Sequence, residues 1–270
     1  MSKLKKFLSK LSECIKNILS IVQFKEPTWT KDSSYALVIA VDYVRETYPE
    51  VTTKKIYNDI FSECADTVKF ITQNDATSEA FLKALEEGVK YKTFFFYENA
   101  HGNNKCIRMI DRNVTSKEIW NILRNAQNRI VGFFDSCHSG SMILDPENPT
   151  LEDTTAKDLQ YEGTMADYLV EMFKEQAKTA RGNEKQPQIR LYSACANGVI
   201  STYEPTIGTK FADAMIYSWK RTVEKTYTDF DKLLIEKGSY GNTPTMDPKY
   251  RVTPQISTFG EDFSNYERLR

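Results

Sequence analysis

Short apolar runs alternate along most of this chain with longer segments in which apolar residues recur every three or four positions. Residues 35–41 (YALVIAV) carry no polar alternation, the pattern of a strand buried on both faces of a sheet. Runs 67–72, 93–97, 129–134 and 188–192 read the same way, and 254–259 reads as a last, edge strand. Between them, 52–64, 77–90, 115–127, 161–180 and 211–224 have helical spacing, as with Ile56, Ile60 and Phe61. Glu79 lies near the positive N-terminal end of the helix over 77–90. Thr115 with Glu118 three residues on predicts a capping box opening the helix over 115–127. Strands alternating with helices predict βαβ units, hence an α/β fold with a mostly parallel sheet covered on both faces. In such sheets functional groups gather beyond the carboxyl ends of the strands.

The N-terminal stretch follows a different pattern. Leu4, Phe7, Leu8, Leu11, Ile15, Ile18, Leu19 and Val22 recur at helical spacing with lysines between them. This predicts an amphipathic helix over 3–22, packed on the main domain or docked on a partner or membrane surface. The polar stretch around Glu26 and Pro27 reads as a linker, dividing the chain into an N-terminal segment 1–33 and a main domain 34–270. Lys5, Lys6, Lys10 and Lys16 interrupt the apolar positions, so the basic start is not read as a secretory signal. No apolar run is long enough to span a bilayer. A net charge of −1 gives no global attraction for nucleic acid. The five cysteines are odd in number and form no CxxC pair, which argues against a disulfide framework or a zinc site and fits a reducing, cytoplasmic compartment.

With only two histidines, any histidine-dependent chemistry uses His101 or His138. The third strand runs into Tyr97-Glu98-Asn99-Ala100-His101-Gly102, and the fourth into Asp135-Ser136-Cys137-His138-Ser139-Gly140. If these strands are neighbours, His101 and Cys137 leave the same edge of the sheet side by side. The thiolate is the reactive form of cysteine, and histidine is its usual base. The backbone N–H groups of Gly102 and Cys137 are candidates to meet a developing oxyanion. His138, one residue on, is read as support for the loop. Position alone equally fits two structural residues at strand ends.

The six residues 135–140, following a buried strand, resemble the nucleophile motif of metacaspases and related caspase-like peptidases. The ending of the third strand resembles that family's Tyr-Ser-Gly-His-Gly motif, with His101 and Gly102 retained and Glu98 in the tyrosine's place. Asn58-Asp59 matches a helical Asn-Asp pair, Ser193-Ala194-Cys195 a later Ser-x-Cys, and Thr253-Pro254-Gln255 the closing segment, so the likeness spans roughly residues 35–260. The resemblance implies a caspase-like fold with a six-stranded sheet. It implies a cysteine endopeptidase working through a thioester, in which Cys137 attacks the scissile carbonyl. His101 then protonates the leaving amine and activates water. The family requires no third, orienting acid.

Further consequences follow from the resemblance. Asp59 and Asp135 match the acids that line the family's S1 pocket, which implies protein or peptide substrates with Arg or Lys at P1. Asn99 stands where a small pocket hydroxyl is usual, Ala100 replaces the glycine before the histidine, and Glu204 is an additional candidate acid. Asp111 remains near the family's calcium ligands, but Ser116-Lys117 replaces paired acids, so no metal and no calcium dependence are expected. Lys157, Lys174, Lys178, Arg181 and Lys185 are candidate self-cleavage points, and a monomer is expected by analogy. The competing readings are a catalytically inactive binding or scaffold module of the same fold and a peptidase with a non-basic P1. A nucleotide-binding domain is the third, and it lacks a glycine-rich phosphate loop after any strand.

Overall fold

The computed structural model describes residues 31–41, 48–102, 105–136, 163–179, 186–195, 203–204, 208–222, 226–242, 246, 252–260 and 263. The predicted helix over 3–22, the nucleophile candidate Cys137, His138 and the candidate cleavage residues Lys157, Arg181 and Lys185 lie outside them.

The apolar runs form one six-stranded sheet. Its strands are β1 (Lys31–Ala40), β2 (Thr67–Ile71), β3 (Tyr91–Asn99), β6 (Arg129–Asp135), β7 (Gln188–Ser193) and β10 (Gln255–Phe259), in the order β10-β7-β6-β3-β1-β2. Five strands run parallel, and β10 closes the edge antiparallel to β7. The strand β1 opens at Lys31, inside the stretch read as linker. Two two-stranded hairpins accompany the sheet: β4 (Cys106–Arg108) with β5 (Asn113–Thr115), and β8 (Tyr203–Glu204) with β9 (Gly208–Thr209).

Each face of the sheet is covered, which is why the central strands are apolar without alternation. One core joins Leu37, Ile39, Phe94, Phe96, Ile130, Phe134 and Leu191 to α2 (Ser78–Gly88), α3 (Ser116–Leu123) and α4 (Met165–Thr179). The other joins Val38, Phe95, Tyr97, Val131, Phe133 and Tyr192 to α1 (Tyr48–Ile56), α5 (Lys210–Thr222) and α6 (Tyr227–Ser239). The first helix continues through a π-helical turn, Tyr57–Phe61, which buries Ile60 and Phe61. The predicted capping box is present at α3, where the Thr115 hydroxyl accepts from the Glu118 N–H and the Glu118 carboxylate accepts from the Thr115 N–H. Helix α6, absent from the sequence reading, is tied to β7 by the buried Arg190–Asp231 ion pair and by the Tyr192 hydroxyl, which donates to Asp231 at 2.8 Å.

At the centre of β6, Gly132 lies in register between Phe96 of β3 and Leu191 of β7. A Cβ there would stand 2.1 Å from a Phe96 ring carbon and 2.8 Å from a Leu191 methyl. Gly132→Ala is therefore expected to destabilise the fold by about 1–3 kcal/mol, the usual cost of overpacking a core. A lowered urea midpoint with an unchanged m-value checks it.

Candidate active site

The strands β3 and β6 are adjacent and in register from Thr93↔Arg129 to Asn99↔Asp135. His101 stands two residues beyond Asn99, and Cys137 two residues beyond Asp135. The strand exits also touch. A Cβ placed on Gly102, the residue after His101, would lie 3.1 Å from both Cβ and Oγ of Ser136, the residue before Cys137. His101 is half-buried. The hairpin that follows it holds its backbone: the Arg108 N–H donates to the His101 carbonyl at 2.8 Å, and Gly102 bridges to Ile107.

Successive residues of a strand alternate between faces, and here the alternation separates two buried carboxyl groups. On one face, donors converge on Oδ2 of Asp135, which is 3% exposed. The Tyr97 hydroxyl donates to it at 2.5 Å, Nδ2 of Asn99 donates at 3.1 Å, and the Thr209 hydroxyl donates as well. Among the described residues Oδ1 has no hydrogen-bond partner. Burial pushes the Asp135 carboxyl up to about 6, against the opposing pull of Thr209, Tyr97 and Asn99. Burial, reinforced by the Asp135 charge, raises the Tyr97 hydroxyl well above its usual range, so it remains a donor. Thr209 has a second task as the cap of α5, accepting from the Ala212 N–H at 3.0 Å. It thereby brings the positive end of that helix to Asp135, which favours the ionised form.

On the other face, Glu98 is fully buried between its register partners Ile39 and Phe134. The two carboxylates were thus separated by the pleat: Asp135 faces the same side as Asn99, and Glu98 faces the opposite core.

The remaining residues singled out in the sequence fall in different places. Asp59 was read together with Asp135 as an acid of the S1 pocket. It sits on the π-helical turn, a third exposed, paired with Lys220 at 3.0 Å. Lys220 is eleven residues along α5 from Thr209, about 16 Å of helix. The start of α1 is the part that approaches the site, with Thr52 packed against Gly208. The backbone of Glu204 pairs with Gly208, one position from Thr209. Asp111 accepts from the Ser78 N–H and hydroxyl, both at 2.7 Å, so its two oxygens cap α2. Burial works to raise its pKa, but these bonds outweigh it and the net shift is downward. No group of three or more metal-binding side chains occurs among the described residues, and no helix among them is long and apolar enough to cross a membrane. Tyr97 and Thr209 were missed by sequence reasoning. A Thr just before an apolar helical pattern was a visible cap signal, but its partner Asp135 is remote in sequence.

A six-stranded, mostly parallel sheet with one antiparallel edge and helices on both faces makes this a caspase-like fold. Among solved structures the chain is similar to a structural-genomics protein from Geobacter sulfurreducens, with a TM-score of 0.59 at 17% identity, covering 87% of this chain and 97% of that one. It is also similar to caspase-1 from Spodoptera frugiperda, with a TM-score of 0.54 at 11% identity, covering 88% of this chain and 94% of that one. No protein-family model matches the chain, and no curated protein matches its sequence. At these identities the likeness is one of fold.

Proposed function

We propose that this chain is a cysteine endopeptidase of metacaspase type, with Cys137 as nucleophile and His101 as its base. The observation that carries the reading is the contact of Gly102 with Ser136, which supports a meeting of the residues on either side of it. Deprotonated Cys137 attacks the scissile carbonyl carbon, and the oxyanion forms near the backbone N–H groups of Gly102 and Cys137. His101 delivers its proton to the leaving amine as the C–N bond breaks, leaving a thioester. It then takes a proton from water, which displaces the thiolate. No step calls for a metal. The likeness to a caspase in fold supports this chemistry, and the sequence motifs supply the residues.

Asp135 is the proposed acceptor for a basic P1 side chain, with Asn99 beside it and Glu204 near the hairpin. Asp59 is left out, because it pairs with Lys220 at the far end of α5. A buried, ionised carboxylate with one oxygen unpartnered gains most from a cation that reaches that oxygen. Since Oδ2 already accepts from Tyr97, Asn99 and Thr209, a guanidinium has no bidentate site here and loses its usual advantage over an ammonium.

The test is hydrolysis of matched peptides with Arg, Lys, Asp or Ala at P1, by wild type and by Cys137→Ala. Cleavage is expected after Lys and Arg at rates within about 10-fold of each other, the scale of one hydrogen bond. In Thr209→Val, Oδ2 loses a donor, and the Arg/Lys ratio is expected to rise about 3- to 10-fold. Preference for Asp or Ala would remove Asp135 from the pocket. Absence of any Cys137-dependent cleavage would favour a binding module instead.

A further inference from the structure

Among the described residues, Glu98 is the one fully buried carboxyl group that the proposed chemistry does not use. It is 0% exposed, and neither of its oxygens has a hydrogen-bond partner of full geometry among the described residues. Its surroundings are apolar: Ile39 and Phe134 flank it across the sheet, and Phe96 and Ala100 precede and follow it on the same face of β3. A leucine would fill this position without loss of hydration. A glutamate there costs free energy unless its polar atoms are put to use. Such breaches of local preference collect at functional sites.

What lies nearest is informative. By strand alternation Ala100 and Ser136 stand one step further along the face of Glu98, Ala100 two residues beyond it and Ser136 two residues beyond its register partner Phe134, and both pull on its carboxyl. Ala100 immediately precedes His101 on the exit of β3, and Ser136 immediately precedes Cys137 on the exit of β6. Behind the sheet, then, one carboxyl group lies on the same face as the residue before His101 and the residue before Cys137. We propose that Glu98 is a positioning residue that ties the exits of β3 and β6 together and thereby sets the spacing of His101 and Cys137. This rests on the peptidase reading for its functional meaning, but the tie itself does not.

The charge state suits that task. Burial, and then the charge of Asp135 through the sheet, hold the Glu98 carboxyl well above the usual carboxylate range, while Ser136 and Ala100 pull the other way. The Asp135 charge acts on the Glu98 carboxyl, and the Glu98 charge acts in turn on the Tyr97 hydroxyl. A protonated carboxyl has one O–H to donate, to Ser136 Oγ, and a carbonyl oxygen to accept, from the Ala100 N–H. An ionised one could only accept.

Two variants separate positioning from packing. Glu98→Gln keeps an uncharged donor and acceptor of nearly the same shape, and Glu98→Leu keeps the volume without them. The measurements are kcat and KM on a P1-Lys peptide and the pH dependence of Cys137 alkylation by iodoacetamide, followed on the Cys137 peptide by mass spectrometry. Glu98→Leu is expected to lose kcat by on the order of 100-fold with little change in KM, the penalty of a misplaced catalytic group. Its thiol should titrate closer to the ordinary value of about 8.5 than the wild-type thiol does. Glu98→Gln should stay within a few-fold of wild type in both. Equal alkylation profiles for wild type and Glu98→Leu would overturn the proposal, as would a Glu98→Gln variant as impaired as Glu98→Leu. If wild type cleaves no peptide, the peptidase reading fails, and the alkylation profiles still decide whether Glu98 sets the environment of Cys137.

Discussion

Replacing Cys137 by alanine is expected to reduce kcat/KM on P1-Lys and P1-Arg peptides by at least about 10³-fold, because residues that act as one catalytic unit cannot substitute for one another. His101→Ala should fall to a similar floor, and the double variant should be no worse than either single one. That non-additivity is the signature that separates a dyad from two residues each supporting the fold. Stability should be nearly unaffected by Cys137→Ala, within about 0.5 kcal/mol. Activity lost together with stability would point to a structural cysteine. The described cysteines do not compete for the role: Cys106 and Cys195 are buried, and Cys64 ends the helical segment after the π-helical turn, away from the exits of β3 and β6. Loss of labelling by a thiol probe in Cys137→Ala would tie the reactive thiol to this position independently of any substrate.

The parts of this fold that could be read from sequence are those set by local rules. Doubly buried strands must be continuously apolar, so β1, β2, β3, β6 and β7 stood out as runs bounded within a few residues of their observed ends. The Thr115–Glu118 box is a local hydrogen-bond pattern and was visible for the same reason. The hairpins β4–β5 and β8–β9 have strands of two or three residues, too short for any periodicity to register. Helix α6 carried a signal that went unread: Thr226 and Asp229 form a capping box ahead of the buried Tyr227, Phe230 and Leu234. There Asp takes the place of the usual Glu or Gln.

The candidate site divides along the same line. Adjacency of β3 and β6, the strands whose exits lead to His101 and Cys137, follows from the pairing of two successive long strands, which a βαβ reading anticipates. The pocket does not follow, because it depends on which end of each helix meets the carboxyl edge of the sheet. The first helix presents Thr52 there and carries Asp59 about 10 Å away along its axis, where Lys220 meets it. The fifth presents Thr209, 74 residues from Asp135 in sequence. Motif matching names Asp59 as a pocket acid and carries no signal for Thr209. Strand alternation was the remaining legible clue: it put Tyr97 and Asn99 on the face of Asp135 and left Glu98 on the other.

Asp135 should set an acid limit on the recognition of basic substrates. Its pKa of about 6 means that the carboxylate present at pH 7.5 is lost as pH falls through 6. A bound ammonium favours the charged form, so the limit belongs to the unliganded protein and should appear in kcat/KM, where free-enzyme ionisations are read. A ratio isolates this effect. For a P1-Lys peptide over its P1-norleucine counterpart, ionisations that act on both substrates alike cancel, and the ratio is expected to drop below pH 6 only if Asp135 reads the charge. Asp135→Asn should lower the P1-Lys value by about 100-fold, as for truncation of one partner of a buried charge pair, and should flatten the ratio. Stability is expected to move in the opposite sense. An acid whose pKa is raised by folding binds its proton more tightly in the folded state, so acidification from about pH 6 to 4 favours the fold at this residue. Asp135→Asn, which removes the cost of burying the charge, should melt higher than wild type at pH 7.5 and lose that lead as the pH approaches 4. A variant that is at once more stable and less able to recognise lysine would identify Asp135 as a group held in the fold for its ligand. A variant destabilised at pH 7.5 would show that the bonds from Tyr97, Asn99 and Thr209 outweigh the burial of the charge.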